Sequence, residues 1–90
     1  MIIAKVVGTV ISTRKNPKLV GSKFLIIEPI DQTEKKDKVV AVDSVGAGIG
    51  EIVLVTFGAA ARIGCDLNDA PIDAAVVGIV DDLKDIVMIK

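Results

Sequence analysis

The groups able to do chemistry in this chain are carboxylates, one thiol and a glycine-dense stretch; histidine is absent. Without imidazole there is no Ser-His-Asp or Cys-His relay, and the commonest general base is missing. Cys65 is the single cysteine, so it has no disulfide partner within the sequence and no second thiolate to share a metal. Zinc needs three or four convergent ligands, which one thiol and scattered carboxylates do not supply. Asp81 and Asp82 are adjacent, so on a strand they would point to opposite faces rather than form an acid/base pair. Asp43-Ser44-Val45 lacks the glycine that would complete an aspartic-protease triplet. The residues therefore predict no enzyme, no cofactor and no bound metal.

Gly46-Ala47-Gly48-Ile49-Gly50 invites a phosphate-binding reading. A dinucleotide fingerprint needs its third glycine where Glu51 stands, and it should open a helix rather than a strand. A Walker loop needs Gly-Lys-Ser/Thr, which does not occur. The reading favoured is structural: Gly46, Gly48 and Gly50 supply left-handed backbone or close approach between two strands. A β-branched side chain at Gly48 would then cost about 1–3 kcal/mol if φ there is positive.

The elements that hold these residues read as strands. Residues 2–13 alternate, with Ile2, Ala4, Val6, Gly8 and Val10 on one face and Lys5, Thr9 and Thr13 on the other. Asn16-Pro17 breaks that run, because the residue before proline avoids the helical region. Residues 23–30, 38–45, 51–57 and 74–80 are further β-branched runs between turn signals, and 31–38 is a charged hairpin loop. Residues 58–64 suit one or two helical turns, with Gly64 as a C-terminal stop. Residues 86–89 read as a short sixth strand, either a sheet edge or a swapped arm. The pattern predicts an all-β fold, a small five-stranded OB-like barrel with one short helix. No linker or repeat divides it, so residues 1–90 make a single domain.

Composition then speaks to partners. The AVILMFWYC share is 51%, and with glycine it reaches about 60%, above the roughly 45–50% of ordinary domains. A domain of 90 residues cannot hide that much apolar surface inside itself, so oligomerisation is expected. Net charge is −1, which argues against nucleic acid and against anionic membrane. Phe24 and Phe57 are the only aromatic residues, too few to stack single-stranded bases. No apolar run is long enough to span a bilayer, and the N-terminal Met1-Ile2-Ile3-Ala4-Lys5 lacks signal-peptide features. A cytoplasmic protein is expected.

Several segments together carry a resemblance. They are Lys5-Val6-Val7-Gly8-Thr9-Val10; Arg14-Lys15 with Leu19 and Gly21; Val40-Ala41-Val42-Asp43; and Val45 through Val55. Gly58-Ala59-Ala60-Ala61-Arg62 and Pro71 through Asp81 complete the set. In this order they resemble the bacterial microcompartment shell vertex family. Two departures are an alanine at Ala59, where serine is usual, and a short tail after Asp81. The resemblance implies an OB-like barrel assembled as a homopentamer that caps five-fold corners and meets hexameric shell proteins. It marks Asp43, Gly46, Ala47, Gly48, Gly50, Glu51, Gly58, Arg62, Asp73, Gly78 and Asp81 as the assembly and structural motif. Two other readings stand beside it, a co-chaperonin-like ring subunit and an OB-type binding module. Gly50-Glu51-Ile52-Val53-Leu54-Val55 resembles a co-chaperonin strand, but residues 31–38 are too charged for the mobile apolar loop such a ring needs.

Overall fold

The structure is a computed structural model and describes residues 1–30 and 37–89. Five strands form a closed barrel: β1 (Ile2–Val10), β2 (Lys23–Pro29), β3 (Val39–Asp43), β4 (Ile52–Phe57) and β5 (Ala74–Val80). Their order around the wall is β1-β2-β3-β5-β4, closing β4 back on β1. All neighbours are antiparallel except β3 and β5, which run parallel and pair only at Val42↔Ala75 and Asp43↔Val76. One short helix, α1 (Ala59–Gly64), lies between β4 and β5 in sequence. The five-stranded expectation holds.

Period-two alternation fills the barrel. Ala4, Val6, Leu25, Ile27, Val53, Val55 and Val76 are fully buried and form one cluster. Each of the larger side chains among them stabilises the fold by about 1.5–3 kcal/mol on leaving water. A second cluster sits outside the wall: Val42, Ala61, Ala70, Ile72 and Ala75, with Leu19, Phe24 and Val77 packed against it. It is roofed by α1 and the segment after it. Two layers of apolar contact therefore exist, one inside the barrel and one outside it.

The expectations for the elements need three corrections, two in strands and one in the helix. β1 ends at Val10, not Thr13, and its alternation breaks midway. The register to β2 shifts between Val6 and Gly8, so Gly8 pairs with Ile26 and Val10 with Phe24. A bulge adds one residue and turns the remainder of the strand over. Gly8 and Val10 therefore leave the inner face that Ala4 and Val6 occupy, and Val10 is exposed. Next, residues 86–89 form no strand; a 3₁₀ turn at Leu83–Asp85 precedes them, and no strand pairs with them among the described residues. Asp82 caps that turn by accepting from the Lys84 N–H at 3.0 Å, which turns the chain out of the β5 direction. Finally, Gly64 is the last residue of α1, and the left-handed residue is Asp66 at φ 55°. The expected charged hairpin loop falls largely on residues 31–36, outside the described residues.

Candidate assembly surface

The connection from β3 to β4 is a built structure. Asp43 ends β3, and its Oδ1 accepts from the N–H groups of Val45 and Gly46, each at 3.1 Å. Gly46 then takes φ 81°, and the chain drops Ala47 into the barrel, where it is fully buried. Lys23 Nζ donates to the Ala47 carbonyl at 3.0 Å. The Gly48 N–H donates to Glu51 Oε1 at 2.6 Å. Gly50, at φ 93°, donates to the Val6 carbonyl at 2.8 Å, and the Val6 N–H returns a bond to Glu51 O at 2.9 Å. Val45 and Ile49 are left pointing into solvent, Ile49 at 67% exposure. The loop is a rigid mount for two apolar side chains.

Gly48 corrects the sequence reading. Left-handed backbone occurs at Gly46 and Gly50 but not at Gly48, where an added Cβ would stand 3.4 Å from Glu51 Oε1. That is ordinary contact, so the need for glycine lies with its two neighbours.

The other motif residues build the helix side. Gly58 enters α1 at φ 65° and donates to the Asp73 carbonyl at 2.9 Å. Arg62 Nη1 donates to the Ile72 carbonyl at 3.1 Å, which ties the helix to the segment leading into β5. Asp73 acts here through its backbone; its side chain is exposed. Gly64 allows α1 to press onto β5, since a Cβ there would lie 2.8 Å from Val77 Cγ1. Gly78 does similar work in the wall, where a Cβ would lie 3.2 Å from Leu54 Cδ1. Asp81 is exposed beyond β5 and shares a cleft of about 430 Å³ with Lys5, Gly50, Glu51 and Asp82.

The motif therefore divides in space rather than converging. Gly46 through Glu51, with Asp81 nearby, belong to the loop side; Gly58, Arg62 and Asp73 belong to the helix side; and Asp43 lies between, close enough to Cys65 for its carboxylate to act on that thiol. No group of three or more metal-ligating side chains gathers among the described residues. The Cys65 thiol is pushed above its ordinary pKa, first by burial and then by the Asp43 carboxylate, so it is held protonated and poorly nucleophilic. Sequence reasoning missed the large exposed side chains that the fold leaves uncovered, including Ile11, Val20, Val40, Ile63 and Ile89. Alternation marks which residues share a face; which face the barrel closes around depends on the bulge and strand order.

Residues 1–81 match the family model described as ethanolamine utilisation protein EutN/carboxysome. The carboxysome shell vertex protein CcmL of Synechococcus elongatus is 47% identical over 86 residues, covering 93% of this chain and 87% of the relative. The microcompartment shell vertex protein GrpN of Rhodospirillum rubrum is 46% identical over 86 residues, covering 93% and 97%. The solved structure of GrpN, a pentameric microcompartment shell protein, superposes with TM-score 0.78 at 48% identity over 91% of this chain and 95% of that one. CcmL from Nostoc sp. superposes with TM-score 0.83 at 46% identity, covering 92% of each. Among the described residues no helix is long and apolar enough to cross a membrane. The chain belongs to the EutN/CcmL family, whose named relatives are the vertex proteins of microcompartment shells.

Proposed function

We propose that this protein is a structural subunit of a bacterial microcompartment shell, assembling as a homopentamer that caps the shell's vertices. Near-half identity to named vertex proteins across more than nine-tenths of the chain carries this reading. The physics agrees with it. Flat hexagonal tiling closes into a polyhedron only with five-fold defects, and a heterologous contact that closes after five copies supplies one. The exposed apolar side chains have a use in such a ring, where a neighbour covers them. Hexameric shell proteins are the outer partners, and the protein has no catalytic role of its own.

Two measurements test this. Native mass spectrometry of the purified protein should give five chains; seven or one would favour a co-chaperonin-like ring or a monomeric binding barrel. Co-expression with hexameric shell proteins of the same compartment should convert open sheets or tubes into closed particles by electron microscopy. Closed particles of normal shape without this protein or another vertex protein would overturn the capping role.

A further inference from the structure

From Asp82 onward the chain lies past the end of the family match at residue 81. Ile86 is extended, at φ −92° and ψ 105°. Ile86 and Met88 line a cleft of about 250 Å³ with Ile3, Ile30 and Leu83 on the outside of the barrel. Beyond Ile86 the chain is exposed, Met88 at 72%, Val87 at 85% and Ile89 at 101%. Two β-branched side chains thus stand in water on a strip with no strand partner among the described residues.

A complementary place exists elsewhere on the same chain. The β3–β5 ladder holds only at Val42 and Asp43, so Val40 has a strand neighbour on its β2 side, Ile26, and none in β5. Where the two strands part there is a cleft of about 230 Å³ lined by Leu19, Phe24, Val40, Val42, Pro71 and Ile72. Val40 at its rim is 49% exposed. The tail crosses the wall at β1, and around the barrel β1 is separated from this seam by β2 on one side and β4 on the other. Ile89 stands three residues past Ile86, a reach of about 10 Å when extended. That is short of halfway around a body 22–24 Å across, so Val87 and Ile89 cannot reach their own seam while Ile86 stays packed.

We propose that the tail is a clasp between copies: Val87 and Ile89 of one subunit occupy the β3–β5 seam of its neighbour. A cyclic ring joins two different patches of the same chain, each copy giving one and receiving on the other. A free extended segment meeting a gap between strands is the geometry of strand addition. The proposal rests on the pentameric reading above and adds to it a named donor and a named acceptor.

Cross-linking tests it in a Cys65→Ser background. Val40→Cys combined with Ile89→Cys, mildly oxidised, should give a reducible ladder of up to five chains on a denaturing gel. Lys5→Cys combined with Ile89→Cys should give none, because Lys5 is exposed on β1, which β2 and β4 separate from the seam. Separately, a chain ending at Asp85, and full-length Val40→Asp, should each raise the concentration at which rings fall apart by tenfold or more. Intact rings with no ladder, or an equal ladder from the Lys5 pair, or unchanged dissociation in both variants, would overturn the clasp and leave the pentamer standing. A monomeric wild type would overturn both.

Discussion

The loop from Ser44 to Glu51 and the tail from Asp81 to Ile89 pose the same problem and solve it oppositely. Each shows apolar side chains to water, Val45 and Ile49 in the loop, Val87 and Ile89 in the tail. The loop is pinned by a fully buried Ala47, by backbone bonds to Val6 and by the carboxylates of Asp43 and Glu51. The tail is held by one capped 3₁₀ turn and the partly buried Ile86. A pinned display has lost its entropy during folding and binds as a finished surface. An unpinned one loses entropy on docking, which lowers affinity but lets a neighbour complete it. Rigidity here comes from buried anchors and backbone bonds, not from the residues displayed.

That contrast is most sharply tested at the anchor. Ala47→Asp forces a carboxylate among fully buried apolar side chains and should destabilise the fold by about 3–5 kcal/mol. Ile89→Asp should leave the melting temperature of the isolated subunit unchanged, because nothing in the fold depends on that side chain. Similar losses in thermal unfolding for the two would erase the distinction between loop and tail. The next effect is conformational. Gly50→Val must hold a β-branched residue at φ 93° and should cost about 1–3 kcal/mol. Gly48→Val should cost clearly less, and a reversed order would show that the loop's geometry has been misassigned. Smaller again, Glu51→Ala removes the acceptor for the Gly48 N–H and should cost about 1.5 kcal/mol, with Glu51→Gln recovering most of it.

How much of this could be read from the sequence differs by region. The five strands and the helix follow from β-branched runs between glycine and proline signals, and all six are found near their expected places. The bulge at Val6/Gly8 left one sign, a glycine inside a strand run, but not its register. Its cause is a cross-strand register, which depends on β2 and so is invisible within β1. The sixth strand failed because Ile86 to Ile89 has strand composition but no partner, and pairing is not a property of a single segment. Gly46, Gly48 and Gly50 looked equivalent by spacing, yet only the first and last take positive φ. Ala47 was marked by resemblance alone; its burial could be known only once the barrel end was closed.

If burial and backbone bonds are what pin a segment, an exposed ion pair should be the weakest pin in the molecule. Lys18 Nζ lies 2.8 Å from Asp69 Oδ2 and bridges the turn after β1 to the turn before Pro71, with both side chains more than half exposed. The hydrogen bond from Lys18, and then its charge, hold the Asp69 carboxyl below its ordinary value of 3.8. A carboxyl depressed in the folded state stabilises above its unfolded pKa, and loses that contribution as pH falls through the lower folded one. Asp69→Asn should therefore melt within experimental scatter of the wild type at neutral pH, because water and salt screen the pair. Any gap should be constant from pH 7 down to about 4 and close below it, where the wild-type carboxyl also loses its charge. Added salt should narrow it at every pH above that window. A gap that widens on acidification, or a loss at pH 7 as large as that of Gly50→Val, would mean the two turns are held by this pair after all.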